Sequence, residues 1–191
     1  GDKITNNPNS RLVFLGWMDG GTRNLITKKP VVKPEDLHGM KIRVQGSPIA
    51  LATLKAMGAN PVAMGVSEVF SGMQTGVIDG TENNPPTFVA HNYLPVVKNY
   101  TYSRHFIIPE LFLYSKVKWD KLKPEDQQLI LKLAKEAQDE QRELWKAYNE
   151  KALATMKAGG VKFYEIDPAT YVKATQSVRD EFGKDHQDLM Q

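Results

Sequence analysis

The sequence predicts an α/β fold with a mostly parallel sheet. Strand-like and helix-like segments alternate with short connections through residues 40–83, and such alternation strongly favours parallel strands joined by right-handed crossovers. A long helical pattern follows in the second half of the chain. With 191 residues, 41% of them hydrophobic and 25% charged, the chain is long enough for one sizeable core or two small ones.

The segments before the alternating region are mainly extended. The stretch "RLVFLGWM", which begins at Arg11, is the first strand candidate, and "DGGTRNLIT" turns and becomes extended again. A short helix is predicted for "VKPEDLHG", because Pro34 suits a first helical position and Gly39 suits the residue after a helix end.

The alternating region contains three short strands and two helices, and a further helix follows it. Ser47 is the predicted N-cap of the first helix and Gly58 its stop signal. Asn84 is placed to cap the helix after the third strand, and Pro85 to open it. The strands are "MKIRV", "NPVAM" and "IDGTEN", and the two helices are "SPIALATLKAMG" and "VSEVFSGMQTGV".

The second half of the chain predicts a crossing segment, a long helix, a strand and a final helix. Residues 100–115 form two strand-like runs with a predicted break near Pro109, since proline is disfavoured inside a sheet. The long helix begins at Pro124 and would measure roughly 50 Å at about 1.5 Å per residue, so it must kink or bridge two bodies. The late strand is "VKFYEI", and Asp167 is the predicted N-cap of one final helix, "DPATYVKATQSVRDEFGK".

Composition argues against several classes of function. A net charge of +3 and the lack of a basic run do not suit nucleic-acid binding. The chain has no cysteine, no metal-site histidine spacing and no phosphate-binding or dinucleotide motif, so we predict neither a metal nor a cofactor. No apolar run reaches the ~18 residues of a membrane span. The polar start "GDKITNNPNSR" is typical of a cut piece of a longer protein or of a mature fragment.

Polar side chains stand where the rule for open parallel sheets places a ligand, at the carboxyl ends of the strands. Strand alternation puts Arg43 and Gln45 on the side opposite Ile42, and Glu82 and Asn83 end the third strand. A guanidinium can hold a carboxylate through two parallel hydrogen bonds. An asparagine amide can donate to the same group.

Each candidate also has a purely structural interpretation. Arg43 could be a solvated strand arginine in an ion pair, Arg23 a surface residue, and the amides of Asn83 and Asn84 turn and cap groups. Pairing with an arginine suits Glu82 better than contact with an anion. An enzyme in which Glu82 acts as a base beside Arg43 is the alternative from another class, although no second acid accompanies it.

Several segments together resemble the solute-binding proteins of TRAP transporters, the DctP family. They are "GGTRNLIT", "DLHGMKIRVQGSPIA", "MGANPVAMGVSEVFSGMQTGVIDGTENNPP" and "LKPEDQQLILKLAKEA". The resemblance runs through nearly all of the chain. It implies a periplasmic-binding-protein-like fold of two α/β domains around a cleft, with crossing hinge strands and a long bridging helix. Such a receptor is not an enzyme; it captures an organic acid and delivers it to a membrane permease.

The resemblance also implies a role for individual residues. Arg43 matches the arginine that clamps the substrate carboxylate, Asn83 the asparagine that assists it, and Arg23 a further arginine of the cleft. Val66 stands where sialic-acid-type members place a phenylalanine, which implies a different ligand shape. The predicted ligand-binding set is Arg43, Asn83, Arg23, Val66, Glu82 and Gln45.

The ligand implied by "ENNPP" is a sugar acid such as a uronate or aldonate, with a C4-dicarboxylate as the alternative. Chains of the family begin with about a hundred more residues, which build most of a first domain. Residues 21–106 and 150–191 are therefore predicted to form the second, ligand-binding domain. Residues 1–20 and 107–149 are predicted to be hinge strands and helix belonging to the remnant of the first domain. A folded fragment that no longer binds ligand is a third alternative.

Overall fold

A computed structural model describes residues 10–185. The polar lead-in at residues 1–9 and the end of the predicted second domain at residues 186–191 lie outside the described residues. The strands are β1 (Leu12–Thr27), β2 (Lys41–Val44), β3 (Asn60–Ala63), β4 (Gly80–Asn83), β5 (Asn99–Ser115) and β6 (Lys162–Glu165). The helices are α1 (Pro48–Ala56), α2 (Val69–Thr75), α3 (Pro85–Ala90), α4 (Lys116–Trp119), α5 (Pro124–Ala158), α6 (Pro168–Ala174) and α7 (Gln176–Gly183).

The six strands form one sheet in the order β3-β2-β4-β1-β5-β6. β2 pairs in parallel with β3 and with β4, and β5 pairs in parallel with β6. β1 lies antiparallel to β4. The predicted α/β class with a mostly parallel sheet is confirmed, because α1 and α2 connect β2, β3 and β4 in one direction.

Two predicted interruptions of the long strands are wrong. The segments "RLVFLGWM" and "DGGTRNLIT" form the single strand β1, in which Gly21 takes a left-handed φ of 73°. Pro109 lies inside β5 without a break. β6 pairs with β5 only from Asn99 to Tyr102. Pro109 lies beyond this paired part, so its missing N–H removes no hydrogen bond to β6.

Two predicted helix caps are present, and three predictions about the helices differ from the structure. The side chain of Asn84 caps α3 by accepting a hydrogen bond from the Thr87 backbone N–H (2.9 Å), and Asp167 caps α6 through Ala169 N–H (3.0 Å). Ser47 precedes α1 but makes no side-chain cap bond. The single final helix is instead two helices, α6 and α7. The short helix predicted around Pro34 is a 3-10 turn, Pro34–Leu37.

Contacts divide the chain into two compact units. Unit 1 contains the described residues up to Gly21 together with Ile107–Lys151, and unit 2 contains Thr22–Phe106 and the described residues from Ala152 onwards. The 35-residue helix α5, about 50 Å long, contributes to both units. That unit 1 is the remnant of a further domain stays a prediction.

Unit 2 buries apolar side chains on both faces of its sheet. Leu25 and Ile26 are neighbours in β1 and are both fully buried, yet they belong to separate clusters, as strand alternation requires. Leu54 of α1 packs in the first cluster, and Met73 of α2 and Phe88 of α3 pack in the second. Each such burial contributes about 1.5–3 kcal/mol. Helices therefore cover the sheet on both sides.

Unit 1 joins α5 to β1 through polar as well as apolar contacts. Leu15, Trp119 and Ala134 form its small buried cluster. Gln138 accepts a hydrogen bond from the Trp17 backbone N–H (2.8 Å), and the amide of Gln141 bonds both the N–H and the C=O of Asp19 (2.9 Å each). These two glutamines interrupt the apolar stripe of α5 because they pair with strand backbone.

Candidate functional site

The carboxyl ends of β2, β3 and β4 meet at one edge of the sheet in unit 2. Arg43 of β2 lies opposite Thr81 of β4. β1 runs in the opposite direction, so Arg23 lies beside Asn24, which pairs with Asn83. Four predicted residues therefore lie at this edge: Arg23, Arg43, Glu82 and Asn83. Of the other two, Gln45 is exposed directly after β2, and Val66 opens the 3-10 turn after β3 with 42% of its surface exposed.

Arg43 is buried but only partly satisfied. It is 5% exposed, and its Nε donates to the Met64 carbonyl (2.8 Å). Within residues 10–185, no group accepts a hydrogen bond from its two terminal nitrogens. Burial lowers the pKa of Arg43, and the nearby negative charge of Glu82 opposes that change. The guanidinium therefore holds positive charge and unused donors in a largely desolvated position.

Glu82 is fully buried and is held by two cationic or polar side chains. Arg23 approaches it with two nitrogens, Nε to Oε2 at 2.5 Å and Nη2 to Oε1 at 2.7 Å, and Nη2 also reaches the Glu82 carbonyl (3.0 Å). His105 Nε2 lies 3.4 Å from Oε2, and its Nδ1 lies 2.8 Å from Ser103 Oγ. The expected pairing of Glu82 with an arginine is present, and Arg23 is the partner.

The charge state of Glu82 follows from these contacts. Burial acts to raise its pKa, but the hydrogen bonds from Arg23 and His105 and their charges outweigh burial and leave the pKa below the ordinary value. Glu82 is therefore ionised and holds the Arg23 guanidinium in position. Sequence reasoning missed His105, because no local signal in β5 marks a partner on β4.

The adjacent amides at the end of β4 have different contacts. Asn83 Oδ1 accepts a hydrogen bond from the Asn84 backbone N–H (2.9 Å), so the Nδ2 donor is the other polar atom of this side chain. In the described part of the chain, no acceptor contacts that donor. The Tyr100 hydroxyl donates to the Asn83 carbonyl (3.3 Å) and accepts from Asn24 Nδ2 (3.0 Å). Asn83 thus offers a donor from a fixed backbone, while Asn84 caps α3.

Among residues 10–185, no three acidic, histidine or cysteine side chains come close enough together to hold a metal ion. Over the same residues, no helix combines the length and the apolar character that a membrane span requires.

Residues 1–186 match the model of DctP, bacterial extracellular solute-binding protein, family 7. The chain belongs to this family. The resemblance seen in the sequence is thereby confirmed. DctP-family receptors bind solutes, and the buried polar edge of unit 2 is the part of this chain that combines a cation with unused donors.

Solved DctP-family structures are similar to this chain over nearly its whole length. A TRAP periplasmic solute-binding protein from Citrobacter koseri with bound D-glucuronate is 77% identical, with a TM-score of 0.94, and the match covers 100% of this chain and 63% of that protein. A protein from Pseudomonas putida F1, also with bound D-glucuronate, is 51% identical with a TM-score of 0.94 and coverages of 99% and 61%.

Curated DctP-family relatives are longer than this chain. A solute-binding protein of Chromohalobacter salexigens is 34% identical over 180 residues, which are 93% of this chain and 54% of the relative. The chain spans about half the length of the curated relatives it matches.

Proposed function

We propose that this chain is part of a periplasmic receptor of a TRAP transporter. The receptor binds a sugar acid such as a uronate and delivers it to the membrane permease. The observation that carries the proposal is Arg43, whose terminal nitrogens are unpartnered among the described residues although the side chain is 5% exposed. A buried, uncompensated charge is costly. A ligand carboxylate would offset that cost with two parallel hydrogen bonds.

The neighbouring residues supply the remaining roles. Asn83 donates from Nδ2 to the same carboxylate or to an adjacent oxygen. Arg23 keeps Nη1 for the ligand, since Glu82 occupies its other two nitrogens. Gln45 and Val66 contact the sugar portion next to the strand ends. The choice of a uronate is supported by the D-glucuronate bound to the similar Citrobacter and Pseudomonas proteins.

The receptor function fits Glu82 better than an enzymatic one. A general base needs a free lone pair within reach of the substrate and a pKa near the working pH. Both carboxylate oxygens of Glu82 contact Arg23, and its pKa lies below the ordinary value. Glu82 therefore acts by positioning Arg23. D-glucuronate recovered chemically unchanged after long incubation with the protein is the expected result.

Calorimetry on the full native chain tests the proposal with D-glucuronate, D-galacturonate, an aldonate and succinate. Arg43→Ala removes the charged fork, and we expect it to weaken binding of every carboxylate by about 2–5 kcal/mol, roughly 30-fold or more. Arg43→Lys keeps the charge without the fork and should lie between Ala and wild type. Arg179→Ala, on α7, is the matched control and should leave affinity within about twofold. Unchanged binding in Arg43→Ala would overturn the proposal.

A further inference from the structure

Asn24, in β1, is a buried amide whose polar atoms are bonded to both β1 and β5. It is 3% exposed. Its Nδ2 donates to the Thr22 carbonyl (3.1 Å) and to the Tyr100 hydroxyl (3.0 Å). Its Oδ1 accepts a hydrogen bond from the Arg104 backbone N–H (3.0 Å). A side-chain amide has two donor hydrogens and one acceptor oxygen, so both polar atoms of Asn24 have partners and the orientation of the amide is fixed.

Tyr100, in β5, links the Asn24 amide to the end of β4. Its side chain is fully buried, and the centroid of its ring lies 5.3 Å from that of Tyr102 and 5.7 Å from that of Phe163. The hydroxyl accepts from Asn24 and donates to the Asn83 carbonyl (3.3 Å). Burial raises the pKa of Tyr100, so the hydroxyl stays protonated and keeps its donor.

The Asn83 carbonyl and the Asn84 N–H belong to one peptide group. That group is planar, so a hydrogen bond that fixes the direction of the carbonyl also fixes the direction of the N–H. Asn83 Oδ1 accepts a hydrogen bond from this same N–H (2.9 Å). The Tyr100 hydroxyl therefore restrains the Asn83 side chain through the backbone. Nδ2, the candidate ligand donor, shares the amide plane with Oδ1 and is restrained with it.

We propose that Tyr100 is a positioning residue for solute binding, which holds the Asn83 side-chain amide in one orientation before the ligand carboxylate arrives. The inference rests on the proposed function, because it takes Asn83 as a ligand donor. Tyr100 is fully buried, so it acts through Asn83 and not by contact with the ligand. Without the hydroxyl, the Asn83 side chain gains freedom that binding must remove again, and such ordering weakens association.

Tyr100→Phe tests the inference, because it removes the hydroxyl and keeps the packed ring. In the full native chain, we expect D-glucuronate affinity, measured by calorimetry, to fall by about 2- to 13-fold, the range for ordering one side chain. In the Asn83→Ala background, the same substitution should change affinity by less than about twofold, since the restrained amide is absent. A general loss of folded protein would instead act alike in both backgrounds.

Tyr102→Phe is the matched control, since Tyr102 lies on the same strand and packs in the same aromatic group. Its hydroxyl makes no hydrogen bond to the part of the chain that the structure describes, so we expect less than about a twofold change of affinity in either background. Tyr100→Phe should lower the melting temperature, because Asn24 and Asn83 each lose a buried partner. Tyr102→Phe should retain it.

Two results would overturn the role of Tyr100: an equal affinity loss in the wild-type and Asn83→Ala backgrounds, or no loss in either. Failure of the proposed function itself is recognised separately, by Arg43→Ala binding D-glucuronate like wild type. A normal loss in Arg43→Ala, together with an equal loss for Tyr100→Phe in both backgrounds, would remove the role of Tyr100 alone.

Discussion

Arg23 and Arg43 lie on the two strands that flank β4, and both are largely buried, but their surroundings differ. Arg23 makes three hydrogen bonds to Glu82. Among residues 10–185, the Arg43 side chain makes one hydrogen bond, to the Met64 carbonyl. Burial alone therefore does not identify a ligand-binding cation. In the part of the chain that the structure describes, the hydrogen bonds already made leave both terminal nitrogens of Arg43 for an incoming anion, but only Nη1 of Arg23.

The largest effect expected from this comparison is on stability. Arg23→Ala leaves the buried Glu82 without its main counter-charge and should destabilise unit 2 by about 3–5 kcal/mol. Arg43→Ala loses one hydrogen bond to a carbonyl and should cost less than about 1.5 kcal/mol. Chemical denaturation of the ligand-free variants measures both. Equal losses would show that the two arginines do not differ in how much they stabilise the ligand-free protein.

A smaller effect is expected for the two adjacent amides. Asn83→Ala removes an unused donor and should weaken uronate binding by about 1.5–3 kcal/mol, the value for a hydrogen bond to a charged group. Asn84→Ala is the matched control, because it removes the α3 cap. It should cost about 1 kcal/mol of stability and leave affinity nearly unchanged. Calorimetry and thermal melts of the pair distinguish these outcomes; an affinity loss confined to Asn84→Ala would reverse the assignment.

The ionised Glu82 should make the free energy of unfolding depend on pH. The folded-state pKa of Glu82 lies below its ordinary value of 4.5, so its ion pair with Arg23 is fully stabilising above that pH. The contribution is lost as pH falls through the lowered folded-state pKa, where the carboxylate is protonated. Glu82→Gln should therefore be less stable than wild type at neutral pH, and the gap should close in acid. A stability gap that stays constant with pH would contradict an ionised Glu82.

The alternating part of the fold was predictable because its signals are local. Proline, glycine and cap residues such as Asn84 mark where each short element begins or ends, and the direction of β2, β3 and β4 follows from their helical connections. The same reasoning placed Arg43 and Asn83 at one edge. These positions depend only on strand alternation and on the rule for parallel sheets.

The remainder depends on which distant segments pair, and a single sequence does not specify that. The antiparallel placement of β1 between β4 and β5 brings Arg23 and His105 to Glu82, across 59 and 23 residues of chain. No spacing of residues in the sequence indicates these contacts.

The complete burial of β4 has a consequence for the thermodynamics of capture. Its four residues are each buried, and the side chain of Glu82 and the carbonyl of Asn83 are tied to neighbouring elements before any solute arrives. This half of the site is preorganised, so binding there loses little rotamer and backbone entropy. Most of the free energy of the hydrogen bonds between a bound carboxylate and this edge should then contribute to affinity.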